Sequence, residues 1–321
     1  MVEISVNKSA LNLVLDVIEN KNIYKVDVKK LTNGATIIDM GIKATGGYLA
    51  GVKLGEICLG GLGYVNLTTT NFGEFVLPSV TVATDFPHIA CLGSQFAGWR
   101  LNVKEENYFA MLSGPARALK GGEKGLFDEL QYKDNADIAI AVLEGSTLPN
   151  EKVMETIATK CKVNVEKTYA LIAPTASLAG GVQIAARVVE MGIHKLHEIG
   201  YDPKKISYGI GSTPIAPIAK SDTKAMGVTN DAIIAVGSVI YNVNSTEGDN
   251  LEDLIKKVPS STSKQYGKPF YEIFVDAGKD FYNIDPLLFA PAQITVNDLR
   301  TGKTTSAGRL NIDLLKKSFG I

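Results

Sequence analysis

Apolar residues recur along this chain with two different periods, and the alternation between them sets out its elements. Between residues 9 and 20, Leu11, Val14, Leu15 and Ile18 fall on one side of a first helix. The stretches "GATIIDMGI" (34–42) and "YLAGVKLGEICLGG" (48–61) read as strands divided by "ATGG". "SVTVAT" (79–84) alternates with period two between Pro78 and Pro87, and "RLNV" and "YFAML" are two further short strands. "DIAIAVLEG" (137–145) and "YALIAPT" (169–175) are nearly continuous apolar runs, as strands buried on both faces require, with the helical "NEKVMETIATKCK" between them. "DAIIAVGSVIYNV" (231–243) predicts a long strand, and "GDNLEDLIKKV" a helix with its acids first and lysines last. "KPFYEIFVDAG" predicts a helix opened by Pro269 and closed by Gly278. "AQITVNDLRTGKTTSAG" predicts a hairpin turning at "RTGK", and "NIDLLKKSF" a last helix.

Strands grouped together as well as beside helices predict an α+β fold. The glycine-marked "CLGSQFAGW" suggests a hinge near Cys91–Gly98. The expected division is an N-terminal domain of 1–95 plus a returning hairpin and helix at 285–321, against a second domain of 96–284.

The helix predicted from Leu178 to Gly200, capped by Ser177, carries an unusual polar stripe. At about 100° per residue, Leu196, Val189, Val182, Ile193 and Ala186 make one apolar wall, and Val188, Ile184 and Met191 another. Between them lie Gln183, Arg187, Glu190 and His194. A solvent-facing side is wider and richer in lysine, so a narrow stripe between apolar walls suits a helix lining a cleft. The plain alternative is an i,i+3 ion pair that steadies the helix by about 0.2–0.5 kcal/mol.

Composition narrows the function classes. The chain has 321 residues, 45% hydrophobic and 21% charged, with a formal net charge of −1. No basic run suggests nucleic acid, and no run of about 20 apolar residues suggests a membrane span. Three widely spaced cysteines, with no C-x-x-C, suggest a reducing cytosol. The N-terminus lacks a signal-peptide pattern. Gly accounts for 31 residues, many in short runs such as "GGLGY", where turns or close backbone approach are expected.

Other candidate chemistry is sparser. "LSGPARALKGG" (112–122) places Ser113, Gly114 and Arg117 at a helix start, where a phosphate or carboxylate could meet backbone N–H groups. An ordinary capped helix explains it equally well. "CLGSQFAGWR" frames Ser94 and Gln95 with glycines beside the only tryptophan. The histidines His88, His194 and His197 form no converging ligand set, so no metal is expected. "PSSTSKQYGKPFYE" (259–272), with Tyr266 and Lys268, reads as a binding loop or a solvated connection.

Taken in order, "LGSQFAGW" (92–99), "GPARAL" (114–119), "QIAARVVE" (183–190), "TPIAPI" (213–218), "MGVTNDAI" (226–233), "YGKPFYE" (266–272) and "NDLRTG" (297–302) span nearly the whole chain. Together they resemble the methenyltetrahydromethanopterin cyclohydrolase family. The resemblance implies two α+β domains with a ligand cleft between them, a cytoplasmic homotrimer, no redox cofactor, and a pterin as substrate and one-carbon carrier. The implied reaction is reversible hydrolysis of the 5,10-methenyl pterin to its 5-formyl form, in methanogenesis or one-carbon oxidation. It places Glu190 as general base and Arg187 as its partner, with burial raising and the guanidinium lowering the glutamate's pKa. Ser94, Gln95 and Gln183 would stand near the pterin, Ser113, Gly114 and Arg117 at its anionic groups, and Tyr266 and Lys268 at the rim. Two rivals remain: a cyclohydrolase acting on tetrahydrofolate, and a protein that binds a phosphorylated pterin without turning it over.

Overall fold

The chain divides into two units, each built round a six-stranded sheet, in a computed structural model that describes residues 4–123, 125–280 and 283–321. The first unit takes Met1–Tyr64 and Ile89–Gln183, the second Val65–His88 and Ile184–Ile321. The α+β expectation holds for both.

In the first unit, helix α1 (Val6–Glu19) precedes the short α2 (Lys21–Tyr24), β1 (Asp27–Lys30) and β2 (Thr36–Asp39). Helix α3 (Tyr48–Cys58) follows, then β5 (Trp99–Val103) and β6 (Tyr108–Ser113) after an excursion through the second unit. Short α4 (Ala116–Lys120) and α5 (Leu126–Glu129) lead to β7 (Ala139–Glu144), α6 (Glu151–Cys161), β8 (Thr168–Ala173) and α7 (Leu178–Ala185). The sheet order is β1-β2-β8-β7-β6-β5. Its centre, β2-β8-β7, is parallel, which explains why β7 and β8 are apolar on both faces. One face packs Ile157 and Met154 of α6, the other Val14 of α1 and Leu54 of α3.

The second unit holds β3 (Gly63–Asn71), β4 (Val76–Thr84), α8 (Val188–Glu198), β9 (Ile206–Pro214), α9 (Asp222–Val236) and β10 (Ser238–Val243). Helices α10 (Leu251–Ile255) and α11 (Phe270–Asp276), the hairpin β11 (Gln293–Asp298) and β12 (Thr304–Gly308), and α12 (Ile312–Phe319) complete it. Its sheet order is β12-β11-β10-β9-β4-β3.

Several expectations change. The division at 1–95 plus 285–321 against 96–284 is not the one found. The Cys91–Gly98 segment lies wholly in the first unit, and the C-terminal hairpin stays with the second, where β11 pairs parallel with β10. That pairing lays Ile294 and Val296 beside Val239 and Tyr241 in one buried layer. Residues 48–58 form a helix rather than a strand. Ala50, Leu54, Ile57 and Cys58 are buried at helical spacing, and Gly51 lets the helix approach Val182. Residues 231–236 end helix α9, and only 238–243 form a strand, Gly237 marking the change. In α1 the buried face is Val6, Ala10, Val14 and Val17, whereas Leu15 is exposed.

Candidate active site

The predicted 178–200 helix is interrupted where its polar stripe is densest. Helix α7 stops at Ala185, and Arg187 adopts φ −83° and ψ 1° before α8 begins. The Arg187 N–H reaches back only to the Ile184 carbonyl at 3.0 Å, while the Arg187 carbonyl accepts the first bond of α8 from the Met191 N–H at 2.8 Å. The continuous wheel therefore fails between Ala185 and Val188. What survives is local. Arg187 and Glu190 stand at the start of α8, with Nη1 3.7 Å from Oε2. Both side chains are buried, at 9% and 6% exposure. An exposed brace worth a few tenths of a kcal/mol does not describe this pair. A glutamate in the first turn also meets the positive end of the helix dipole.

Helix α8 is held close to its sheet. Gly209 and Gly211 of β9 face Val189 and Val188, where a Cβ would lie 3.0 and 3.1 Å from their methyl groups. The Tyr241 hydroxyl of β10 donates to the Val189 carbonyl at 2.6 Å, one residue before Glu190. Gly192 leaves room for that hydroxyl.

The first unit gathers a second group of the predicted residues. Residues His88–Gln95 wind as a π-type helix, closed by a bond from the Phe96 N–H to the Cys91 carbonyl at 2.7 Å. Such wide turns are rare and gather at functional sites. Ser94 and Gln95 are fully buried at its end, and the Ser94 hydroxyl donates to the Cys58 carbonyl at 2.7 Å. The Ser94 carbonyl accepts from the Gly114 N–H and from Arg117 Nη1, both at 2.9 Å. Arg117 Nη1 also donates to the Leu92 carbonyl at 3.1 Å, and Nε to Glu123 Oε1 at 3.1 Å. Its second terminal nitrogen pairs with Glu123 Oε2. The rings of Phe96 and Phe127 sit 5.2 and 5.7 Å from its guanidinium. Gly98 is bare because a Cβ there would strike the Glu123 carboxylate and lie 2.9 Å from Arg117.

Ser113, Gly114 and Arg117 stand together at the turn into α4. Helix α4 has five residues, Ser113 is buried, and Arg117 is spent on Glu123 and on carbonyls of the π-type turn. Arg117 is a brace that joins "LGSQ" to "GPAR".

Gln183 is buried in α7. Tyr266 and Lys268 line a groove of about 750 Å³ with Lys264, Asp276 and Asn283. Its lining includes neither Arg187 nor Glu190. Lys268 pairs with Asp276, and the Tyr266 hydroxyl accepts from Asn311 Nδ2 at 3.0 Å. No helix among the described residues is long and apolar enough to cross a membrane.

A family model described as cyclohydrolase (MCH) matches residues 5–319. The chain belongs to that family. Among its relatives, the methenyltetrahydromethanopterin cyclohydrolase of Methanococcoides burtonii is 48% identical over 318 residues, covering 99% of both chains. The proteins of the same name from Methanosarcina mazei and Methanococcus vannielii are 49% identical over 320 residues and 48% over 319. They cover 99% and 98% of both chains, respectively.

Two buried ionisable groups in this member of the cyclohydrolase family escaped the sequence reading. Lys195, five residues after Glu190, donates to the Leu287 carbonyl and to Thr262 Oγ1, the latter at 3.3 Å. Burial lowers its pKa to about 8, against the opposing field of Asp285. Asp231 in α9 accepts the Phe270 N–H at 3.0 Å and the Ser318 hydroxyl at 2.6 Å, and burial raises its pKa to about 7. Neither partner set is near in sequence, so no spacing rule could have found them.

Proposed function

We propose that this chain catalyses the reversible hydrolysis of 5,10-methenyltetrahydromethanopterin to 5-formyltetrahydromethanopterin, in one-carbon metabolism of the methanogenic type. The observation that carries the reading is the buried Arg187–Glu190 pair at the start of α8, in a chain of this family. The substrate's methenyl carbon lies between two nitrogens in an amidinium-like cation and is already electrophilic. The protein's task is to orient a water and take its proton.

In the hydrolytic direction Glu190 removes a proton from water as the oxygen bonds to the methenyl carbon. The resulting hydroxyl-bearing carbon loses its bond to N10 as its O–H gives up a proton, N10 gains a proton, and the formyl group remains on N5. One water is consumed and one proton released. Arg187 holds the carboxylate in its rotamer and opposes its charge. General-base assistance of this kind contributes roughly 10²–10⁴ in rate.

Ser94, Gln95 and Gln183 are proposed as polar contacts to the pterin. Ser113, Gly114 and Arg117 are proposed near the anionic groups of the ligand, with Arg117 also positioning the Leu92 and Ser94 carbonyls. Tyr266 and Lys268 are proposed for the outer part of the ligand, supported by the groove they line. A cytoplasmic homotrimer is the assembly that fits the family, and three buried thiols suit a reducing compartment.

The test is to mix purified protein with authentic methenyltetrahydromethanopterin and follow the loss of its near-ultraviolet absorbance, with methenyltetrahydrofolate in parallel. Turnover of the first and not the second supports the reading. Binding without turnover, or preference for the folate, overturns it.

A further inference from the structure

We propose that Lys195 is a positioning residue, whose ammonium fastens the helix that presents Glu190 to the loop that carries Tyr266 and Lys268. The proposal rests on the reading of Glu190 as the base that meets water.

The side chain itself raises the question. Lys195 is 1% exposed, one of the largest fully buried side chains of the molecule. Its ammonium donates to two neutral oxygens, the Leu287 carbonyl and Thr262 Oγ1. Moving an ammonium from water onto neutral oxygens is costly, and an apolar chain of similar length would fill the place without that cost. An apolar chain, however, has no directional partner. A carbonyl and a hydroxyl define where the ammonium must stand, and with it α8.

Both oxygens belong to the roots of one loop. Thr262 closes the turn Ser260–Thr262, and Leu287 lies in the turn Pro286–Leu288. The roots are stapled to each other through Asp285. The Ser263 hydroxyl donates to Asp285 Oδ2 at 2.6 Å, the Asp285 N–H to Gln265 Oε1 at 2.7 Å, and the Leu287 N–H to Asp285 Oδ1 at 3.0 Å. The Ser260 hydroxyl ties the first root to the Ile234 carbonyl of α9 at 2.7 Å. Thr262 gives its own hydroxyl proton to the Pro259 carbonyl at 2.8 Å, which leaves a lone pair for the ammonium. Between the roots runs the segment whose Lys264, Tyr266, Lys268, Asp276 and Asn283 line the groove.

Glu190 stands five residues earlier on the same helix, ~7.5 Å along its axis. The sheet sets how high α8 stands, through Gly209, Gly211 and the bond from Tyr241 to the Val189 carbonyl. Lys195 sets where α8 stands relative to the groove. The groove lining includes neither Arg187 nor Glu190, so a ligand that reaches both needs the two held in register. A displacement of about 1 Å can cost about 10² in rate.

The tie also depends on charge. Burial holds the Lys195 pKa at about 8, against the field of Asp285 on the second root. Lys257 and Lys264, flanking the first root, are exposed. On α8 itself, besides Glu190 and His197, His194 lies 3.6 Å from Glu198. Beyond the helix, Lys204 lies 3.9 Å from Asp202 and Lys205 2.7 Å from Asp249. Strands β4, β9 and β10, against which α8 packs, carry no charged residue. Above about pH 8 the group is a neutral amine and a weaker donor, so the tie slackens.

The test compares wild type with Lys195→Met, which keeps the length of the side chain and removes its donors. At about pH 7, kcat with methenyltetrahydromethanopterin is expected to fall about 10- to 100-fold, with KM changed far less. The ratio of the two rates, each corrected for uncatalysed hydrolysis, is expected to shrink as pH rises past about 8, where wild type loses its ammonium. Amide hydrogen exchange needs no turnover. In the variant it is expected to quicken about tenfold or more in α8 as well as at the two roots of the loop. Quickened exchange confined to the loop, a change in KM alone, or a rate ratio flat across that pH range overturns the proposal. Quickened exchange in α8 with no turnover by wild type leaves the tie standing and overturns the activity it serves. Should Lys195→Met not fold, Thr262→Val, which removes one acceptor at an exposed position, is read by the same measurements, with smaller losses in the same direction.

Discussion

Adding one methyl group to α8 tests how closely that helix is fitted to its sheet. In Gly192→Ala the new Cβ would fall on the Tyr241 hydroxyl, with the ring carbons Cζ and Cε2 at 3.1 and 3.2 Å. That hydroxyl is fully buried and bonded to the Val189 carbonyl at 2.6 Å. Either the tyrosine turns away and loses the bond, or α8 lifts. Overpacking a tight core costs about 1–3 kcal/mol, and a neutral buried hydrogen bond about 1 kcal/mol. Gly192→Ala should therefore destabilise by about 2–4 kcal/mol. Tyr241→Phe alone should cost about 1 kcal/mol. In the double variant the obstructing oxygen is gone and the remaining ring contacts are only tight. Its loss should fall short of the sum of the single losses by at least about 1 kcal/mol, well within the range seen for contacting residues. The assay is equilibrium denaturation of the four proteins, with turnover measured on each. Gly192→Ala should also lower the rate more than it lowers stability would suggest, because displacing α8 by about 1 Å misplaces Glu190 and can cost about 10² in rate. Additive losses, or a Gly192→Ala enzyme of wild-type rate, would refute this reasoning.

Further outcomes follow from the buried charges. Arg117→Met leaves Glu123 without its partner and should destabilise by about 3–5 kcal/mol in denaturant titration. Arg117→Lys should recover only part of this, since an ammonium cannot span Glu123 and two carbonyls as the guanidinium does. Asp231 gives a pH signature. Its folded pKa, about 7, stands above the ordinary carboxylate value of 3.8, so between those values the folded state holds the extra proton. Wild-type stability should therefore fall as pH rises from about 4 to 7 through this group, and the fall should be absent in Asp231→Asn. Parallel stability curves for the two proteins would dismiss that role.

Much of the architecture was legible because local pattern and tertiary environment agree. The alternation in 79–84, the unbroken apolar runs of β7 and β8, and the hairpin turning at "RTGK" each have one structural solution. Residues 48–61 and 231–236 misled because a short, nearly continuous apolar run suits a buried helix as well as a buried strand. Glu190 and Arg187 stand out through helical periodicity and the family motifs, yet the periodicity breaks at Arg187 itself. Of the stripe, the structure brings Arg187 and Glu190 together, and the break after Ala185 means that the four residues do not form one face of one helix. Arg117 stands out in the sequence through "GPARAL". Its actual partners, Glu123 and the Leu92 and Ser94 carbonyls, depend on a π-type turn that no periodicity announces. Lys195 and Asp231 are set by partners 39 to 92 residues away along the chain, beyond any spacing rule.

The most direct measurement is the rate of Glu190→Gln with methenyltetrahydromethanopterin, checked against an unchanged unfolding curve. The substitution keeps the size and burial of the side chain and removes its ability to take a proton. A fall of roughly 10²–10⁴ in rate is predicted. Hydrolysis at the parent rate would contradict the account.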